Sequence, residues 1–495
     1  MDLTEPKIPE APAPKGHPKQ LYMLFFAEMW ERFSFYGMKA LLLAYMVTQL
    51  KFDEPKGYAI LGSYAALVYT MPLFGGVMAD RFLGYRKAVM YGGILMSIGH
   101  LVLAVPEDWS FFYGMAFIIC GNGFFKPNIS SLVGTLYADN DPRKDSGFSI
   151  FYMGINIGAA LGGLLCGYVG QQINWHYGFG LAGIFMILGL IVFAIGKKSL
   201  KEGLPPNPEA LRKPIFAGIS TEVGIYAAAL LVIPAIVALF HRYEIMDFIM
   251  FGLGALSLGY ILYIASQLDG GARYKLFSAL ILIIFSTLFW AFYEQNAGSL
   301  NLFAMRNVDM HVAGFELPAL AVNNFLPPAW VIALSFPFAW LWPALSRKGM
   351  EPSTPLKFGL SFVLLGIGFL VFYAACLNAD SGLISLPYFI LGYFFIISGE
   401  LCISPIGLSM VTKLSPAKIV AMMMGIWFFA SAIGEFLAGK IGALMSVPEN
   451  VVDNPVLSLP YYADIISKIG MYSIGIGVLL IILVPLIRRW MQDVR

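Results

Sequence analysis

The chain has 495 residues, 58% of them hydrophobic, 15% aromatic and 13% charged, with a formal net charge of +2 and a mean hydropathy of +0.73. Soluble domains carry about 25% charged residues, so the composition excludes a soluble globular protein and indicates a polytopic membrane protein in contact with a lipid bilayer. No basic cluster interleaved with aromatics offers a nucleic-acid surface. Cys120, Cys166, Cys376 and Cys402 lie inside apolar runs, without the spacing or His partners of a metal site or a disulfide framework.

In chain order, residues 1–20 read as a polar, Pro-rich cytoplasmic tail without a cleavable signal sequence. Apolar runs long enough to cross a bilayer follow at 21–50, 57–81, 86–105, 110–137, 146–172 and 177–196, and define an N-terminal six-helix bundle over 21–196. Residues 197–218 hold Lys197, Lys198, Lys201, Arg212 and Lys213 among several prolines and read as a cytoplasmic linker. Runs at 219–240 and 246–267 form an inserted two-helix hairpin, 219–267. A second six-helix bundle, 268–489, contains runs at 273–303, 325–345, 356–377, 384–412, 417–446 and 462–487, and a short cytoplasmic tail ends the chain at 490–495. The total is fourteen crossings at about 20 residues each.

Lys and Arg alternate between loops. Arg81, Arg86, Lys87, Arg143, Lys144, the linker cluster, Arg273, Lys275, Arg347, Lys348, Lys357, Lys413, Lys418, Arg488 and Arg489 fall on one side, while the other loops carry Asp53, Glu54, Glu107, Asp108, Asp380, Glu449 and Asp453. The positive-inside rule then places both termini and the linker in the cytoplasm. The inserted hairpin crosses out and back, so both bundles keep one orientation. Two parallel six-helix halves with a midplane site between them are the layout of the major facilitator superfamily. The segment Gly76-Val-Met-Ala-Asp80-Arg81-Phe-Leu-Gly84-Tyr-Arg86-Lys87 resembles that superfamily's loop between helices 2 and 3.

The polar residues inside the apolar runs carry the chemistry, because an ionisable group at a helix centre costs about 2.5–3.5 kcal/mol on insertion scales. The first run holds Glu28, Glu31 and Arg32, with Glu28 and Arg32 at i and i+4 and Tyr36 one turn on. The fourth holds Lys126 beside Pro127, the fifth Asn156, the seventh Glu294 and the tenth Glu400. Arg32 and Lys126 thus lie in the first half and Glu294 and Glu400 in the second, which suits salt bridges that form and break as two halves rock. Each residue has a structural alternative: a helix-end ion cluster for the first set, snorkelling for Lys126, helix packing for Asn156, and a Glu294–Glu400 pair. Glu435 and Lys440 read as locally structural. Tyr36, Tyr69, Tyr152, Trp290 and Trp427 lie on or near the polar faces. No Ser-His-Asp, Cys-His or metal constellation marks an enzyme, and His17, His100, His176, His241 and His311 are scattered.

Four segments resemble motifs of the proton-dependent oligopeptide transporter (POT) family: Glu28-Met-Trp-Glu31-Arg32-Phe, Phe151-Tyr152-Met-Gly-Ile-Asn156-Ile-Gly158, Phe289-Trp290-Ala-Phe-Tyr293-Glu294-Gln295 and Gly399-Glu400-Leu-Cys-Ile-Ser404-Pro405. The resemblance implies a proton-coupled symporter importing di- and tripeptides across a bacterial inner membrane, with protons as coupling ion, no cofactor and no obligate protein partner. It implies that Glu28, Glu31, Arg32 and Glu294 couple protons; a carboxylate deep in the seventh run facing a lone deep arginine makes Arg32 the expected partner of Glu294. Arg32, Lys126 and Asn156 would meet the peptide's carboxylate end and backbone. Glu400 would meet its amino group, and would pair with Lys126 in the empty site. Tyr36, Tyr69, Tyr152, Trp290 and Trp427 would line side-chain pockets. Phe35 replaces a tyrosine common in the family, and the family's Asn near the start of helix 8 has no assigned counterpart between Asn323 and Asn324. The nearest rival is a family relative carrying nitrate or another small anion, which the acid Glu400 disfavours. A channel or receptor is disfavoured by ionisable groups near the midplane of both halves.

Overall fold

The computed structural model describes residues 16–138, 141–216, 218–404, 407–416 and 419–492. The predicted tail up to residue 15, Pro405 of the fourth motif, Lys418 and the end of the chain from 493 lie outside the described residues.

The first bundle comprises α1 (Lys19–Thr48), α2 (Glu54–Met78), α3 (Gly84–Leu103), α4 (Asp108–Gly134), α5 (Lys144–Gln172) and α6 (Trp175–Gly196). The linker folds into a short α7 (Pro208–Arg212) and a ribbon of β1 (Pro214–Phe216) and β2 (Ile219–Ser220). The hairpin is α8 (Thr221–His241) and α9 (Ile245–Ser266). The second half holds α10 (Gly270–Tyr293), α11 (Ser299–Asn307), β3 (Val308–Asp309), β4 (His311–Val312), β5 (Phe315–Glu316), α12 (Ala319–Arg347), α13 (Thr354–Leu377), β6 (Ile384–Ser385), α14 (Leu386–Ile403), α15 (Gly407–Leu414), α16 (Val420–Ala443) and α17 (Pro455–Met491). Among the described residues, eleven helical stretches are long and apolar enough to cross a membrane, 54–103 counting as one; the protein is an integral membrane protein. Two long helices fall outside that set, α4 and α1, the latter because Glu28, Glu31, Arg32 and Lys39 charge its middle.

Two expectations change. The segment around Asp80-Arg81 is not an open loop: residues Ala79–Leu83 form a π-helical turn that runs α2 into α3, and Gly84 leaves it at φ +70°. The predicted helix over 273–303 is broken, since α10 stops at Tyr293 and α11 starts at Ser299. Side chains satisfy the polar backbone that the break exposes. Gln295 Nε2 donates to the carbonyls of Ala291 and Ala438, Asn323 Nδ2 donates to that of Asn296, and Asn301 Nδ2 donates to those of Ala297 and, across the halves, Ala40. Irregular backbone at membrane depth persists only where protein partners of this kind replace water.

The two halves meet most tightly at the end that carries the 49–53 loop. Gly62 of α2 faces Gly439 of α16: a Cβ on Gly439 would stand 2.8 Å from the Tyr58 carbonyl and 2.9 Å from Gly62 Cα. Glycine here lets two backbones touch. The same end is latched by Arg306, whose Nη1 donates to Glu54 Oε1 at 2.6 Å and Tyr462 Oη at 2.7 Å, while Glu54 Oε2 accepts from the Val447 amide. The hairpin touches both halves. Its α8 reaches the first through Lys87–Glu222 and stacked Tyr91–Tyr226 rings, and its α9 reaches the second through Lys440–Asp247 at 2.6 Å.

Overpacking a close seam costs about 1–3 kcal/mol, which corresponds to roughly a 5–150-fold shift in a two-state equilibrium. Gly439→Val is therefore expected to open this end. Spin labels at Lys51 and Glu449, which line one cleft at this end, should move apart; an unchanged distance distribution would contradict the seam's role.

Candidate functional site

The first charged set lies on α1 where α5 crosses it. Gly158 and Gly162 remove the side chains that would collide with the carbonyls of Met29 and Phe33, so α5 lies directly on α1 and Arg32 is sealed between them. Arg32 Nε donates to Glu28 Oε1 at 2.9 Å and lies 2.7 Å from Glu31 Oε2, and all three residues are buried. Glu28 Oε2, Glu31 Oε1 and Arg32 Nη2 have no hydrogen-bond partner among the described residues. One guanidinium thus holds two carboxylates, with bonding capacity left over for a proton or an anionic ligand group.

A cavity of about 280 Å³ opens between the halves. Its walls bring together Tyr36, Tyr69, Tyr152, Asn156, Trp290, Glu294 and Glu400 from the predicted set, joined by Lys39, Tyr293 and Asn296. Glu400 Oε2 accepts a short hydrogen bond from Tyr293 Oη at 2.5 Å, and Ser404 Oγ stands 3.5 Å from its other oxygen. Asn156 Nδ2 donates to the Tyr152 carbonyl at 3.0 Å. Asn324 lines the cavity, whereas Asn323 is consumed by a buried network with Asn296, Asn301 and Tyr393.

Four expectations are corrected. Glu294 does not pair with Arg32: its Oε2 accepts from Lys39 Nζ at 3.0 Å, because α10 reaches α1 two turns beyond Arg32. Lys126 does not bridge to Glu400 and pairs with no carboxylate among the described residues; its Nζ stands 4.4 Å over the Tyr69 ring. The partner of Glu435 is not local, since both its oxygens lie 3.4 Å from Lys39 Nζ in the other half. Trp427 packs against Gly407 and does not line the cavity. Arg32 and Lys126 do not line the cavity themselves; Arg32 is one turn from Tyr36 and Lys126 Nζ stands over the ring of Tyr69, both of which do. Lys39 itself was legible: it stands seven residues after Arg32 and three after Tyr36, on the same helix face.

Two helical bundles that enclose a polar, charge-lined cavity, sealed at one end and built around a broken helix, define a secondary transporter of the major facilitator type. Residues 86–458 match the sequence profile of the POT family, so the chain belongs to this family, which is one of transporters rather than enzymes. It is 37% identical over 492 residues to the uncharacterized transporter YclF of Bacillus subtilis, covering 97% of this chain and 96% of that one. It is 33% identical to dipeptide and tripeptide permease B of Salmonella typhimurium, covering 96% and 97%. The crystal structure of a mutant of the peptide transporter POT in complex with alafosfalin superimposes with a TM-score of 0.83 at 34% identity, covering 97% of both chains.

Removing one partner of a buried ion pair costs about 3–5 kcal/mol, because the remaining charge is stranded. Lys39→Ala strands two acids and is expected to lower the melting temperature of the purified protein sharply. Adding Glu435→Gln should recover part of the loss. Equal melting temperatures for Lys39→Ala and wild type would show that the triad is not a load on folding.

Proposed function

We propose that the chain is a proton-coupled symporter that imports di- and tripeptides by alternating access of the central cavity. The observation that carries this reading is the cavity itself, which lies between the halves with a carboxylate, Glu400, on one wall and cationic groups on and behind the opposite one. A short peptide is a zwitterion with variable side chains. Glu400 takes its amino group. Lys126 and Arg32, reached past Tyr69 and Tyr36, take its carboxylate, and the Asn156 carbonyl oxygen accepts from its backbone. Tyr36, Tyr69, Tyr152 and Trp290 present aromatic surfaces that accept side chains of many shapes. An acid in the cavity weakens the rival reading of a nitrate or small-anion carrier, which has no amine to neutralise.

The sealed 49–53 end is the outer face, and the Lys- and Arg-rich end with both termini is cytoplasmic, so the state described is closed to the outside of a bacterial inner membrane. Glu28, Glu31 and Arg32 form one proton-coupling set. Glu294 belongs to the coupling machinery with Lys39, rather than Arg32, as its partner. Protons are the coupling ion, and neither a cofactor nor a protein partner is required. One charge moving through 100 mV supplies about 2.3 kcal/mol, enough for roughly fifty-fold accumulation before any pH gradient.

Labelled dialanine in proteoliposomes tests the reading. Uptake should follow an imposed pH gradient and potential, and absence of uptake under every condition would refute it. Glu294→Gln should abolish accumulation against a gradient and leave counterflow; concentrative uptake by that variant would remove Glu294 from the coupling step. Glu400→Ala should weaken dialanine binding by an order of magnitude or more, since a hydrogen bond to a charged group contributes about 1.5–3 kcal/mol. N-acetyl-dialanine should bind wild type poorly and lose less on that substitution. Equal losses for both ligands would mean that Glu400 does not read the amino group.

A further inference from the structure

Two polar side chains of the first half belong to none of the four motifs and line neither the central cavity nor the cleft at the sealed end. Asn122 of α4 and Tyr64 of α2 are both 0% exposed. Neither Oδ1 nor Nδ2 of Asn122, nor the Tyr64 hydroxyl, has a hydrogen-bond partner among the described residues. A primary amide offers two donors and two acceptor sites, and burying it with all of them unmet is costly. Native interiors meet such groups with protein or with ordered water.

The two residues stand at one level of the bundle. Lys126 Nζ lies over the Tyr69 ring, which marks where α4 meets α2. Both helices run in the same direction from the sealed end. Asn122 is four residues before Lys126, about 6 Å, and Tyr64 is five before Tyr69, about 7.5 Å. Gly121 rests against Gly92 of α3 and Gly123 against Met71 of α2, so Asn122 between them points into the bundle on the Lys126 face, toward α1. The Tyr64 hydroxyl lies within reach of the charges of Lys39 and Glu435 and of those of Glu31 and Arg32. Lys39 is seven residues beyond Arg32 on α1, about 10.5 Å, so the Asn122–Tyr64 layer separates the two ion sets. Glu31 Oε1, on one side of that layer, also has no partner.

We propose that this layer is a bound-water site: Asn122 and Tyr64 anchor ordered waters that reach Glu31 on one side and the Lys39 set on the other, behind the peptide cavity. The inference rests on the proton-coupled reading above and deepens it. Buried water typically makes about three hydrogen bonds to polar groups that would otherwise be unmet, and here the amide, the phenol and the Glu31 carboxyl supply them. The waters give the two ion sets a connection through the first bundle that does not pass through the space a peptide occupies. A proton given up by a carboxyl at one end is accepted by the nearest water. Each water, and the Tyr64 hydroxyl, takes a proton on its oxygen and passes another on, and the carboxylate at the far end receives one. Tyr64 and Asn122 finish neutral. Asn122 carries no proton along this path; it is a positioning residue that fixes the waters, and Tyr64 both fixes and hands on. An apolar pair at these positions would pack as well and would insulate one ion set from the other.

The direct test is a crystal structure of the wild-type protein that resolves ordered water. Density should lie within hydrogen-bond distance of both the Asn122 amide and Tyr64 Oη, and a dry layer would overturn the proposal. The functional test compares gradient-driven uptake of dialanine with its counterflow in proteoliposomes. Tyr64→Phe and Asn122→Leu remove the anchors with little change in volume. Each should slow driven uptake roughly fivefold or more, the factor carried by one lost hydrogen bond, and leave counterflow within about twofold of wild type. Asn122→Ser keeps a hydroxyl and leaves room for one more water, so it should retain most of the driven uptake. The double variant should be no slower than the slower single one, because either change breaks the same chain. Equal losses in driven uptake and counterflow would make the two side chains packing residues and overturn the proposal, as would unchanged driven uptake in both single variants. If wild type shows no gradient-driven uptake, the transport reading fails, while the crystallographic waters still decide whether the site exists.

Discussion

A charge in the interior of this protein is costly unless a partner offsets it. Moving an ion out of water costs several kcal/mol even after relaxation, and a counter-charge repays that only at contact distance. The Lys39 ammonium meets this requirement by lying between Glu294 at 3.0 Å and Glu435 at 3.4 Å, which belong to the opposite half. The ion cluster therefore joins two bundles whose separation is the transport motion. A pair of this kind is poor evidence for stability and good evidence for a switch, because its energy depends on both protonation and the position of the other half.

The cluster forms only because the backbone brings its members together. The α10–α11 break turns Glu294 toward α1, and the amides of Gln295, Asn301 and Asn323 satisfy the peptide groups that the break exposes. Asn301 also bonds the Ala40 carbonyl, one residue from Lys39, so the segment beside the acid and the segment carrying the base are tied directly. Glycine contacts between α1 and α5, and between α2 and α16, set the distance at which these helices run. The hairpin α8–α9 spans the lipid-facing side and contacts both halves without entering the cavity.

A second two-acid, one-base set, Glu28, Glu31 and Arg32, lies entirely within the first half. The contrast between the two is physical. In the first-half set all three members move together, so its charge balance changes only when a proton or ligand binds. In the set that bridges the halves, the balance changes with conformation as well.

The sequence by itself determined the class. Apolar length, the alternation of Lys and Arg between loops and four motifs in order specify a two-bundle POT transporter, because hydrophobic span and loop charge are local properties. It also singled out Glu28, Glu31, Arg32, Glu294 and Glu400, since an ionisable residue inside an apolar run is visible without any partner. Only the tertiary structure decided the pairings. Arg32 and Lys39 lie on one face of one helix, and nothing in their spacing says which of them meets Glu294; the tilt of α10 and the position of its break do. Lys126 and Glu400 are complementary in charge, yet Tyr69 and Tyr293 occupy them. Glu435 gains its partner Lys39 from the approach of α16 to α1, almost four hundred residues apart in the chain. Pairing depends on where separate helices cross, and that is set by small residues at distant seams rather than by the charged residues themselves.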